Sequence, residues 1–175
     1  MNMSGTRSTN SHRPSELLDT LKRLGFGAAV AVPDGWLGEI LVHIEQDPTI
    51  RLVRATHEEE ALAIACGLRL GGVRATMIVQ NAGLLSCGAG MVCLARRYQF
   101  PLLILVSYRG TPQDPVFYHV PKGRATEPVL KGLDVPYTRV DRNLPIGPQV
   151  EAAASYAEEA TSPFVLLLSR EDIQW

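Results

Sequence analysis

Three short stretches of this chain carry side chains able to hold a proton or meet a ligand. Thr56-His57-Glu58-Glu59, with Glu60 behind it, opens a periodic apolar segment just after a short apolar run. Thr-x-x-Glu is a capping-box pattern, and acids in a first helical turn complement the helix dipole. Those roles account well for Glu59 and tolerably for Glu60. They account least for Glu58, which shares a helical face with Ala61, Ala65 and Leu68. That face should be buried, and a buried carboxylate costs free energy unless a donor meets it. Glu58 is therefore the acid with the strongest reason to do chemistry, with plain first-turn electrostatics as the alternative.

The second stretch, Gln80-Asn81-Ala82-Gly83, joins a strand-like run to a helix-like one. Asn81 there is either an N-cap or, with Gln80, a ligand-facing polar residue. The third, residues 108–123, reads as a long loop punctuated by Gly110, Pro112, Pro115 and Pro121. It carries His119, and Arg109, Lys122 and Arg124 lie in or beside it. Binding residues concentrate in such loops, so three cations there make an anion site or a set of solvated charges.

Several chemistries are missing from the pattern. There is no G-x-x-x-x-G-K-[ST] loop, and Gly88-Ala89-Gly90 lies inside a helical run with Cys93 in place of a third glycine. No G-x-S-x-G elbow occurs, and the four histidines are scattered, so no metal site is expected. Cys66, Cys87 and Cys93 make neither an even framework nor a C-x-x-C pair, which reads as reduced, structural thiols.

The elements that must position these residues alternate. Helices are expected at 14–24, 36–45, 57–70, 83–97, 124–133 and 149–160, and apolar strands at 28–32, 51–55, 76–80, 101–107, 137–140 and 164–169. Six near-continuous apolar strands separated by helices predict one α/β domain. It is doubly wound, with a six-stranded parallel sheet and helices on both faces. In such folds ligands sit beyond the carboxyl ends of strands, which is where 33–36, 56–60, 80–86 and 108–123 fall.

Composition agrees with one domain of 175 residues: 46% of residues are hydrophobic and 20% charged, against a disordered chain. Seventeen basic and eighteen acidic residues leave no surplus of the kind nucleic-acid binders carry. No apolar run approaches a membrane span. Residues 1–13 are polar, lack the apolar core of a secretory signal and read as a disordered tail before a domain at 14–175. A cytoplasmic protein is expected.

Five segments in register carry a resemblance. They are Val32-Pro33-Asp34, then His57-Glu58 with Ala61 and Gly67 downstream, and Gln80-Asn81-Ala82-Gly83-Leu84. The strand at 101–107 leading to Arg109-Gly110 follows, and then His119-x-x-x-Gly123-x-x-Thr126. Together they resemble the pyrimidine-binding domain of thiamine-diphosphate-dependent 2-oxoacid decarboxylases over about residues 15–170. The sulfopyruvate and phosphonopyruvate decarboxylases are the most similar members.

The resemblance implies that Glu58 hydrogen-bonds N1′ of the cofactor's aminopyrimidine, promoting the tautomer that activates the thiazolium. It implies cofactor contacts at Pro33, Gly83 and Ser86, substrate contact at Gln80, Asn81 and Arg109, and proton handling or substrate contact at Asp34 and His119. Family members also need a Gly-Asp-Gly…Asn domain for Mg2+ and the diphosphate, and this sequence has none. The expectation is an α subunit, active only in a hetero-oligomer with a β subunit that carries the diphosphate-binding domain and Mg2+.

The implied substrate is a small anionic 2-oxoacid: 3-sulfopyruvate, giving sulfoacetaldehyde and CO2, with phosphonopyruvate second. Leu85 and Ser86 stand where the family pattern reads Gly-Asn. That departure favours, as an alternative, a non-catalytic or regulatory module of the same fold. An unrelated nucleotide-binding protein is a further alternative, which the missing phosphate loop disfavours.

Overall fold

The order of the strands in the sheet decides where a ligand can enter. A computed structural model describes residues 13–173. The strands are β1 (Ala28–Ala31), β2 (Arg51–Arg54), β3 (Ala75–Gln80), β4 (Leu103–Ser107), β5 (Tyr137–Arg139) and β6 (Phe164–Leu168). They form one six-stranded sheet in the order β2-β1-β3-β4-β6-β5, every pair parallel. The chain runs outward from β1 to β2 and then returns to lay β3 on the other side of β1. That reversal opens a crevice at the carboxyl ends of β1 and β3, from which Pro33-Asp34 and Gln80-Asn81 emerge.

The helices are α1 (Arg13–Arg23), α2 (Gly38–Gln46), α3 (Glu58–Leu70), α4 (Asn81–Ser86), α5 (Gly88–Gly90), α6 (Val120–Gly132), α7 (Ile146–Ala160) and α8 (Arg170–Ile173). Successive strand residues point to opposite faces, and both faces are apolar. Ala29, Ile78, Leu105 and Leu166 pack under Leu21 of α1, Ile44 of α2 and Val150 of α7. Val30, Val79, Ile104 and Val165 pack under Ala61 and Ala65 of α3, Leu84 of α4 and Leu130 of α6. The doubly wound, six-stranded parallel architecture is thus the one its apolar runs predict. Among the described residues no helix is long and apolar enough to cross a membrane.

Several element ends shift by two or three residues, α7 beginning at Ile146 rather than 149, and three differences from the sequence expectation are larger or change a reading. The helix expected at 83–97 is broken: α4 ends at Ser86, α5 follows Cys87, and Met91–Arg96 winds as a π-helical turn. A Cβ on Gly90 would lie 3.1 Å from Leu62 Cδ2, so this small-residue segment sits close on α3. The loop expected at 108–123 ends early, in a 3-10 turn at Phe117–His119 that runs straight into α6. Pro121 reads as punctuation in the sequence, yet it stands in the first turn of α6, where a missing N–H costs nothing. Residues 1–12 of the expected tail lie outside the described residues. Its last member, Arg13, opens α1, is buried, and donates to the carbonyls of Arg142 (2.6 Å) and Leu144 (2.9 Å).

Candidate cofactor and substrate site

Glu58 is the first residue of α3, directly after β2 and the extended His57. Its neighbours Ala61 and Ala65 are buried while Glu58 itself is half-buried. No hydrogen bond reaches its carboxyl among the described residues. The capping role falls instead to Glu60: the N–H and the hydroxyl of Thr56 both donate to Glu60 Oε2 at 2.7 Å. The capping box expected at Thr56 and Glu59 is therefore corrected by one residue, because His57 rather than Thr56 occupies the N-cap. Across from Glu58, in α4, Gly83 has no side chain for a reason. A Cβ there would overlap the Glu58 carboxyl.

The crevice between β1 and β3 is spanned by a chain of polar contacts. Gln80 Nε2 donates to Asp34 Oδ1 at 2.7 Å, and the Trp36 N–H donates to Asp34 Oδ2 at 3.0 Å. The Arg109 guanidinium forms an ion pair with Asp34 and lies over the Trp36 ring at 4.6 Å. Lys122 Nζ, from α6, donates to Gln80 Oε1 at 2.9 Å. Burial alone would raise the Asp34 carboxyl. The Gln80 hydrogen bond, the Arg109 charge and the Trp36 N–H outweigh it and hold the group below its usual range. Lys122 is lowered, first by burial and then by Arg109, with Asp34 and Asp114 opposing.

A second cluster anchors the segment after β4. Asn81, fully buried, donates to the Arg109 carbonyl (2.9 Å) and to Thr126 Oγ1 (3.0 Å), while its Oδ1 has no partner among the described residues. It is not the N-cap that its position suggested; Gln80 holds that place. Asp114 accepts the N–H groups of Gly110 (2.8 Å) and Val116 (3.0 Å) and meets His119 Nδ1 at 2.7 Å. Gly110 has φ +82°, and a Cβ on it would overlap the His119 carbonyl. One on Gly123 would overlap the Gly110 backbone. The spacing His119-x-x-x-Gly123 therefore reflects a backbone crossing that only glycine permits.

The structure thus brings Asp34, Gln80, Arg109 and Lys122 together and sets Asn81 and His119 beside them. Arg124 does not join: it lines a separate cleft of about 410 Å³ with Tyr108, Glu127 and Arg139. Pro33 is exposed at the crevice, Leu85 is half-buried, and the Ser86 hydroxyl donates to the Gly83 carbonyl of its own helix at 2.7 Å. Two residues escaped the sequence reading, Trp36 and Asp114. The Asp-Pro pair before Val116 is the available signal for the second, since Asp114 makes an Asx turn there.

An acid with no partner among the described residues, set over a glycine beside a polar crevice at a sheet reversal, marks an α/β domain with a candidate ligand site at its strand ends. Residues 15–128 match the model of the thiamine pyrophosphate enzyme N-terminal TPP binding domain, and the chain belongs to that family. It is 34% identical over 117 residues to the sulfopyruvate decarboxylase subunit alpha of Methanothermobacter thermautotrophicus, covering 67% of this chain and 71% of that one. The sulfopyruvate decarboxylase subunit alpha of Methanocaldococcus jannaschii is 28% identical over 151 residues, 86% of this chain and 89% of the relative. The phosphonopyruvate decarboxylase of Streptomyces viridochromogenes is 29% identical over 128 residues, 72% of this chain but 32% of that longer protein.

Proposed function

We propose that the chain is the pyrimidine-binding half of a two-chain, thiamine-diphosphate-dependent decarboxylase. Its substrate is a three-carbon 2-oxoacid with an anionic 3-substituent, first of all 3-sulfopyruvate. The relatives named sulfopyruvate decarboxylase subunit alpha support the substrate and the division into subunits. The match to only a third of phosphonopyruvate decarboxylase supports a second chain for the remaining work, including the Mg2+ and diphosphate site.

The observation that carries this reading is Glu58 above Gly83. A half-buried carboxylate with no donor among the described residues fits a ring nitrogen that shares a proton with it, and the absent Cβ leaves room for the acid. When bound, the cofactor supplies an electron sink for the carbon that loses carbon dioxide. This chain's residues do the rest. Glu58 holds the aminopyrimidine at N1′, and Asp34 neutralises Arg109. Among the described residues Lys122 donates to the neutral Gln80 and to no carboxylate, so its charge remains for a sulfonate or phosphonate. Net reaction replaces a carboxylate by hydrogen (R–CO–COO− + H+ → R–CHO + CO2), so a proton must be delivered to that carbon, and His119 is the acid we assign.

Co-expression with a chain carrying a diphosphate-binding domain tests the proposal. Carbon dioxide should be released from sulfopyruvate, and Glu58→Gln should leave assembly intact while lowering kcat by orders of magnitude. Release from phosphonopyruvate alone moves the assignment to the second substrate. No release from either, or unchanged turnover in Glu58→Gln, overturns the proposal in favour of a non-catalytic module.

A further inference from the structure

We propose that Asp114 is the positioning residue for His119, fixing the imidazole so that its exchangeable proton is held at Nε2. The inference rests on the decarboxylase reading above for the use of that proton, and on geometry alone for its placement.

The Asp114 side chain is fully buried and the His119 side chain is 6% exposed. Asp114 Oδ2 meets His119 Nδ1 and also accepts the Gly110 N–H; Oδ1 accepts the Val116 N–H. Burial alone would raise this carboxyl. The two backbone N–H groups and His119 outweigh it and hold the acid below its usual range, so it is ionised near neutral pH. An ionised carboxylate only accepts, so Nδ1 must carry hydrogen in every protonation state of the ring. The nitrogen that gains or loses a proton is then Nε2, which makes no hydrogen bond among the described residues.

The backbone that carries the ring is closely packed. The His119 carbonyl lies against Gly110, and Gly110 lies against Gly123, closing the segment at both ends. The Tyr118 ring meets the imidazole edge-on, with centroids 4.8 Å apart. The charged group that reaches Asp114 from a neighbouring element is Lys122 of α6, which in turn faces the Arg109–Asp34 ion pair. If Asp114 served the loop alone, two backbone hydrogen bonds would suffice, and the contact with Nδ1 would have no consequence.

The imidazole nitrogens of the 15N-labelled full chain report the tautomer directly. The neutral His119 ring should carry hydrogen on Nδ1, and Asp114→Ala should shift the population toward Nε2–H. A wild-type ring protonated at Nε2 when neutral, or a tautomer unmoved by Asp114→Ala, overturns the proposal. The wild-type spectrum decides even if Asp114→Ala does not fold. In the co-expressed complex, Asp114→Ala should lower kcat about 100-fold with KM within a few-fold, the scale of one positioned proton donor. Equal losses in both parameters would make Asp114 a loop anchor and overturn the proposal. A wild-type complex that releases no carbon dioxide overturns the functional reading instead, and the spectrum then decides the pairing by itself.

Discussion

The carboxyl of Glu58 fills the space where a side chain on Gly83 would begin. One residue opens α3, the other lies in the short helix after β3, and neither position explains itself without the other. The acid is held out toward the sheet reversal because the glycine leaves it room, and the glycine is required because the acid is there.

Gly83→Ala should therefore be worse than a usual glycine-to-alanine change in a helix. Relief requires the Glu58 side chain to rotate away or α4 to shift, and overpacking of this kind costs about 1–3 kcal/mol. Urea unfolding of the isolated chain should show the loss. In the complex, kcat should fall even where the fold survives. Glu58→Gln provides the contrast, since no hydrogen bond of the described chain depends on its charge. Its unfolding free energy should stay within about 0.5 kcal/mol of wild type.

Lys122→Met should separate binding from turnover. The variant keeps an unbranched side chain and removes the charge that the proposed function assigns to the substrate's 3-substituent. KM for sulfopyruvate should rise at least about tenfold, the scale of one lost hydrogen bond to a charged group, with kcat much less affected. Steady-state kinetics of the complex measure both, and an unchanged KM would place the sulfonate elsewhere.

Asp34 gives the crevice a pH dependence with a definite sign. Its carboxyl is lower in the folded chain than the ordinary value of about 3.9. The stability it contributes is thus complete above that ordinary value and is lost as the pH falls through the lower folded value. Asp34→Asn should be less stable than wild type at pH 7, by on the order of 1–3 kcal/mol, because Arg109 loses a charged partner. Urea midpoints at pH 7 and pH 3 check the sign. The difference between the two proteins should shrink at the lower pH.

The thiols should differ in reactivity. Cys66 and Cys87 are buried, and burial pushes both up to about 12, whereas Cys93 is exposed. An aromatic disulfide reagent at pH 8 should modify one cysteine of the native isolated chain quickly and three after unfolding. Fast modification of two in the native state would mean that α3 or the Cys87 break opens readily.

The sheet was legible because parallel strands buried on both faces leave an unmistakable record: short apolar runs such as 102–106 and 164–168, each followed by a helical period. Glu58 was legible for the opposite reason, as a charge on a face that its neighbours Ala61 and Ala65 mark as buried. The start of α6 was not, since Pro121 serves equally as a breaker and as a first-turn residue, and only the chain before it decides. The break at Cys87 was hidden as well: small residues such as Gly88 and Gly90 fit a continuous helix locally, and the departure comes with the close approach to Leu62 on α3.

What the linear pattern settled was the kind of layer each segment forms, because hydrophobic period is a local property of neighbouring residues. It also marked the acid of α3 and the polar residues at strand ends, since their types conflict with burial wherever the fold is drawn. Which of them meet was decided in three dimensions. Asp34 and Arg109 are 75 residues apart and Lys122 and Gln80 are 42 apart, and they touch only because the strand order places β1 beside β3 and β3 beside β4. Asp114 and His119 are only five residues apart, but the turn that carries His119 lies against Gly110, which in turn lies against Gly123, a backbone contact that no side-chain pattern announces.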